Sequence, residues 1–213
     1  YSLRRLRGGY TGNCVNVRRS SDDALLDIGF DSNGDFDQTA FSAFVGGGSG
    51  YVKKWYDQSG NGYDVVQTTN ASQPTLTPLD YGQKPAISFN GTTNTLLAPD
   101  PALLDLLDGS LSVYGVCSID VDGYIVICGK GQNAVGGFRC FMEAGRRMKL
   151  WYGNDGEPYS AQSAVLTLST KSSVFWGRDV ANGNSQAGLG ATLAEAAQTV
   201  NQSWDGAFGF AIG

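Results

Sequence analysis

The sequence predicts an all-β fold, an antiparallel β-sandwich with one or two short helices, on three observations. It holds 30 glycines, 10 tyrosines and 10 phenylalanines against only 16% charged residues, a balance that favours many short strands and tight turns over helices. From residue 111 onward, apolar and aromatic runs alternate with turn dipeptides at the spacing of an antiparallel sandwich. The length of 213 residues supports one sizeable core, and sandwiches commonly use about 200 residues as a single domain. One domain over residues 1–213 is therefore expected.

Taken in order, residues 1–20 alternate enough for one or two strands around the Arg7-Gly8-Gly9 break, with Val15 and Val17 on one face. The oxygen-rich turn Asp31-Ser32-Asn33-Gly34-Asp35-Phe36-Asp37 leads into a short helix over 38–45, capped by Asp37 and ended by Gly46-Gly47-Gly48. Residues 51–56 read as a strand running into a polar loop, where Gly60 and Gly62 permit a tight reversal. Pro74 and Pro78 mark 71–81 as an extended surface segment, because proline cannot donate to an inner ladder. A strand over 86–90 closes at Asn90-Gly91, and the leucine-rich block 99–107 reads as a short helical connection. Further strands are predicted at 111–120, 124–128, 138–143, 148–152, 164–168, 174–176 and 207–212, with one helical turn at 191–197.

A net charge of -5 argues against a nucleic-acid partner, which requires a basic footprint. The early arginines Arg4, Arg5, Arg7, Arg18 and Arg19 read as a solvated strand face rather than an anion site. No apolar run approaches the ~20 residues of a spanning helix, so membrane insertion is not expected. The chain begins at Tyr1 without a signal-like segment and reads as a processed or excised piece. Histidine is absent, which removes Ser-His and Cys-His nucleophile pairs and leaves carboxylates as the acid–base groups. The four cysteines lack paired C-x-x-C spacing. If Asp122-Gly123 is a two-residue hairpin loop, Cys117 faces Cys128 at about 5.5 Å, a geometry open to a disulfide or to two buried thiols.

The run Tyr56-Asp57-Gln58-Ser59-Gly60-Asn61-Gly62 resembles a motif in the catalytic domain of family 54 glycoside hydrolases, the fungal α-L-arabinofuranosidases. It is found as well in uncharacterised bacterial and phage proteins with laminin-G-like or concanavalin-like domains. Tyr10-Thr11-Gly12, Val17-Arg18-Arg19-Ser20-Ser21-Asp22 and Asp27-Ile28 upstream, and Lys84-Pro85-Ala86-Ile87-Ser88-Phe89-Asn90-Gly91 downstream, are similar to the same family in the same order. The resemblance implies a concanavalin-like, laminin-G-like jelly roll that is C-terminally incomplete relative to the family. Met142-Glu143-Ala144 resembles the family's nucleophile segment, which makes Glu143 the candidate catalytic residue. Two departures stand beside it: the family's general acid lies in a C-terminal loop this chain does not reach, and its adjacent cysteine pair is reduced to Cys128 at most.

Sugars are held by aromatic faces on their C–H patches and by amides and carboxylates on their hydroxyls. Trp55, Asp57, Gln58, Asn61, Trp151, Asn154 and Asp155 supply both kinds and are the expected ligand-binding residues. Asp57 serves equally well to fix its own loop. Asp31, Asn33, Asp35 and Asp37, at alternate positions, form an oxygen ladder of the kind that suits calcium, although Ser42 stands where an EF-hand loop places its glutamate. The expected function is a carbohydrate-recognition or adhesion module of a larger extracellular or virion-surface assembly, such as a phage tail, fibre or decoration protein. Its partners would be glycans and, through an open sheet edge, neighbouring protein chains. The alternatives are an α-L-arabinofuranosidase-like retaining glycosidase using Glu143 and a structural assembly domain without a ligand.

Overall fold

A computed structural model describes residues 1–79, 84–99, 110–132, 136–152, 162–179, 184–197 and 210–213. The fold class is the expected one: an antiparallel β protein with a single short α-helix among the described residues. The chain divides into two compact units, residues 1–99 with Gly213 and residues 100–212.

The first unit contains β1 (Val15–Arg19), β2 (Leu25–Ile28), α1 (Gln38–Val45), β3 (Gly50–Trp55), β4 (Val65–Val66), β5 (Thr75–Thr77), β6 (Ala86–Ser88) and β7 (Leu96–Leu97). Its strands run in the order β2-β1-β3-β4-β7, with β5 pairing β3 and β6. Alternation along β1 turns Val15 and Val17 into the core beside Val52, Ile28 and Val65, all fully buried. The helix forms as the sequence predicts. Asp37 Oδ1 accepts from the Ala40 amide at 2.9 Å, and Gly46, at φ 59°, donates to the Ser42 carbonyl. Phe41 and Val45, one turn apart, close its inner face. Gly50 is required beneath it, since a Cβ there would stand 2.5 Å from the Phe41 ring.

Two local expectations are corrected. Residues 75–77 are a strand between β3 and β6 with Leu76 buried, not an extended surface segment; the proline at 74 lies outside that strand, where it breaks no ladder. Arg18 is not on a solvated face. It is 9% exposed, bonds Gln73 Oε1, Asp23 Oδ1 and the Asn70 carbonyl, and lies 4.6 Å over the Tyr51 ring. A buried guanidinium needs its donors matched, and this one has side-chain and main-chain acceptors.

The second unit contains β8 (Leu111–Cys117), β9 (Ile125–Gln132), β10 (Gly136–Glu143), β11 (Arg147–Tyr152), β12 (Gln162–Val165), β13 (Ser172–Asp179), β14 (Asn184–Leu189), β15 (Thr192–Ala197) and β16 (Phe210–Ile212). One sheet orders them β12-β11-β10-β9-β16 and the other β15-β14-β13-β8. The two sheets pack through β11 and β12 against β13, β14 and β15. Met148, Leu150, Met142, Val174, Trp176 and Ala187 are its buried apolar core.

Cys117 does not face Cys128. It lies opposite Ser172 in the second sheet, whereas Cys128 lies opposite Cys140 in the first. Residues 118–124 carry the chain from one sheet to the other, so the Asp122-Gly123 turn does not join adjacent strands. All four cysteines are free thiols. Residues 192–197 form a strand rather than a helical turn, because full pairing with β14 overrides the helix preference of Leu193-Ala194-Glu195-Ala196-Ala197. The predicted helical connection at 99–107 falls, beyond Pro99, outside the described residues.

Replacing Asp37 by alanine removes the helix cap and should cost about 1 kcal/mol. Denaturant unfolding followed by circular dichroism should show the loss, with Asp37→Asn nearly neutral.

Candidate functional site

The polar loop 57–64 is built around its own side chains. Asp57 accepts from the Ser59 amide at 2.8 Å, the Ser59 hydroxyl at 2.6 Å and the Tyr63 amide at 3.2 Å. Asp64 accepts from the Asp57 amide at 2.9 Å and pairs with Lys54 at 3.1 Å. Gly60 and Gly62, at φ 92° and 77°, make the reversals that let these contacts close. Gln58 is buried, taking the Leu6 amide on its oxygen and donating to the Ser2 and Arg4 carbonyls. It fastens the N-terminal segment from within, and Trp55 packs its half-buried indole 6.0 Å from the Tyr1 ring. Of the four ligand-binding candidates in this motif, Asn61 alone is exposed.

The carboxylates of the acidic turn point to separate tasks. Asp31 accepts from the Asn33 and Asp35 amides, Asp35 pairs with Lys84 and Arg4, and Asp37 caps α1. The Asn33 amide closes this turn onto Asp31. Among the described residues no three acidic or thiol groups gather as a metal site.

In the second unit, hairpin β10–β11 assembles a different cluster. Its three-residue loop, 144–146, uses Gly145 at φ 88° and Arg146 at φ 61°. Phe141 faces Lys149, Arg139 faces Trp151 and Glu143 faces Arg147, so these six share one face of the sheet. The Lys149 ammonium pairs with Glu143 Oε2; the lysine side chain is 6% exposed and the glutamate 42%. The Arg139 guanidinium lies 5.4 Å over the Trp151 ring and donates to the Tyr124 hydroxyl at 3.4 Å. Tyr124, more than half exposed, stacks on Phe141 with ring centroids 5.0 Å apart. Trp151 is buried beneath this layer.

A second carboxylate reaches the same hairpin tip, where Asp122 Oδ1 accepts from the Gly145 amide at 3.1 Å. The register agrees: Phe141 faces Val126 and Met142 faces Ile125, which continues to Tyr124 beside Glu143 and Asp122 beside Gly145. The structure places Glu143 and Trp151 on one face of this hairpin, with Tyr124, Arg139, Lys149 and Asp122, which sequence reasoning passed over. Their signal was the period of two, which puts 139, 141, 143 and 147, 149, 151 on one side. Asn154 and Asp155 lie outside the described residues. The arrangement places a carboxylate at a strand end, its Oε2 buried against the Lys149 ammonium, and borders it with an exposed phenol ring.

Residues 1–91 match the family described as Alpha-L-arabinofuranosidase B, catalytic. Three solved structures share the fold over 99% of this chain and 53% of theirs. An arabinofuranosidase complexed with arabinofuranosyl-α-1,2-xylobiose superposes with a TM-score of 0.72 at 13% identity. A GH54 α-L-arabinofuranosidase soaked with a cyclic sulfate inhibitor gives 0.67 at 14%, and a GH54 mutant soaked with 4-nitrophenyl α-L-arabinofuranoside gives 0.65 at 13%. This chain spans about half the length of those chains. No curated protein matches it by sequence. The chain therefore has an arabinofuranosidase-like β-sandwich fold resembling the GH54 catalytic domain.

Burial works to raise the Asp57 carboxyl, but hydrogen bonds from Ser59 and Tyr63 outweigh it and hold the group below its usual value. A depressed carboxylate contributes stability that is fully present above its unfolded value of about 3.9 and is lost as pH falls through the lower folded value. Thermal melts across the acid range should therefore show a shallower acid limb for Asp57→Asn than for the parent protein, with lower stability near neutrality.

Proposed function

We propose that the second unit hydrolyses arabinofuranosides with retention, Glu143 being the nucleophile. The observation that carries this reading is the Glu143 carboxylate at the end of β10, oriented by buried Lys149 within a face that also offers Tyr124 and Arg139. Support comes from the fold, which this chain shares with structures of arabinofuranosidases complexed or soaked with arabinofuranosyl compounds.

In a retaining reaction one carboxylate attacks the anomeric carbon while a second carboxyl group, about 5–5.5 Å away, protonates the departing oxygen. The covalent sugar ester is then hydrolysed by water that the second group deprotonates. Asp122 is the proposed second group, since its loop meets the Glu143 hairpin at Gly145. The exposed Tyr124 ring offers the flat apolar surface that a furanose C–H face would cover.

A second reading keeps glycan recognition without turnover, as in an adhesion module of an extracellular or virion-surface protein. What favours it is occupancy: Lys149 already neutralises Glu143, and Arg139 already covers Trp151.

Release of 4-nitrophenol from 4-nitrophenyl α-L-arabinofuranoside separates the two. A hydrolase should lose activity about 10³-fold or more in Glu143→Gln. A binding module should show no release, with calorimetric affinity for arabinofuranosyl oligosaccharides that survives the same change. If Asp122 supplies the proton, Asp122→Asn should slow substrates with sugar leaving groups by about 10²-fold and 4-nitrophenyl substrates far less, because nitrophenolate departs without protonation.

A further inference from the structure

Antiparallel pairing sets Cys128 in β9 directly opposite Cys140 in β10. Facing residues in such a pair lie about 4.5–5.5 Å apart at Cα, inside the span a disulfide bridges. The two thiols are hydrogen-bonded to each other. Cys140 is fully buried and Cys128 is 7% exposed, with Ile212 of β16 on its other side. The remaining thiols are elsewhere, Cys14 in the first unit and Cys117 in the opposite sheet. Burial, followed by the bond to Cys128, pushes the Cys140 thiol well above its ordinary range, so Cys140 in the folded protein resists casual oxidation by its low thiolate fraction.

We propose that Cys128 and Cys140 form a cross-strand disulfide that locks β9 to β10, the strand that ends at Glu143. The co-reactant is a small disulfide such as oxidised glutathione. The Cys128 thiolate attacks one sulfur of that disulfide and releases a first glutathione thiolate. The Cys140 thiolate then attacks the Cys128 sulfur of the mixed disulfide and expels the second. Two protein thiol protons end on two glutathione molecules, and two electrons pass from the protein to the oxidant. Strand pairing brings the two residues face to face within the span a disulfide bridges, so closure can occur as β9 and β10 pair, before the second sheet covers them. The link has a plain consequence for the proposed site: it fixes the strand three residues ahead of Glu143 without touching any group on the Glu143 face, because Cys140 points to the opposite side of the sheet.

The test uses the whole chain in two arms. In one, folded reduced protein is incubated with oxidised glutathione; in the other, denatured reduced protein refolds in a glutathione redox buffer. Thiols are counted in denaturant and peptides are mapped by mass spectrometry. The expected result in the refolding arm is loss of two of the four thiols, a mass lower by two hydrogens, and one cross-linked peptide pair joining positions 128 and 140. The cross-linked form should melt about 5 °C higher, reversibly with dithiothreitol. Four free thiols in both arms, a bond to Cys14 or Cys117, or a glutathione adduct that persists on Cys128 would each overturn the proposal. Cys140→Ser should retain all its thiols as free groups or carry a glutathione on Cys128; if that variant does not fold, the peptide map of the parent chain decides.

Discussion

The register of the β10–β11 hairpin decides which side chains of the second unit can act together. Because Glu143 faces Arg147 and Phe141 faces Lys149, the lysine stands one diagonal step from the glutamate and can reach its carboxylate. The same pairing sends Cys140, Met142, Met148 and Leu150 to the opposite side, where they are buried in the core. A slip of one residue would exchange the two sets, putting Glu143 into the apolar layer and Met142 into the polar one. The cost of burying that carboxylate among methionines is what holds the register, and through it the site.

The first unit depends on buried polar side chains, Gln58 and Arg18, that find hydrogen-bond partners in distant segments. Gln58 and Arg18 each hold segments far apart in sequence, Gln58 across more than fifty residues to Leu6, Ser2 and Arg4, Arg18 across a similar distance to Gln73 and Asn70. Removing one partner would leave a buried donor or acceptor unsatisfied, at about 1–3 kcal/mol each. These residues occupy the stretches that resemble the glycosidase family, and here their visible work is to fasten the chain to itself.

The strands that sequence reading located are those whose apolar period is plain, such as 138–143 and 148–152. β14 escaped it because Asn184-Ser185-Gln186-Ala187-Gly188-Leu189 has no β-branched or aromatic residue; it is a strand because β13 and β15 bracket it. β2 escaped for a similar reason, being short and exposed on three of its four residues. The cap on α1 was legible because capping is local: Asp37 and Ala40 are three residues apart. The Cys128 partner was not, since a facing pair across a sheet depends on which strands meet, and the assumed hairpin at Asp122-Gly123 turned out to cross between sheets. At the candidate site, Glu143 was a candidate through the resemblance of Met142-Glu143-Ala144 and Trp151 through its aromatic side chain. Lys149 and Asp122 required the register.

The Lys149–Glu143 pair bears on both functional readings through where the charges lie. The lysine side chain is 6% exposed and the glutamate 42%, so the glutamate is the more solvent-accessible partner, with its Oε2 buried against the ammonium. A sugar arriving from the open side meets the anion first. In glycoside hydrolysis the transition state gathers positive charge at the anomeric carbon, which the nearer carboxylate attracts and the farther ammonium repels. Coulomb interaction weakens with distance, so the ordering leaves a net attraction while the ion pair keeps the carboxylate in one orientation. An ammonium on the solvent side of the carboxylate would have reversed that ordering. The buried cation is therefore compatible with a nucleophile at position 143, and its placement beneath the anion, rather than its mere presence, is what makes it so.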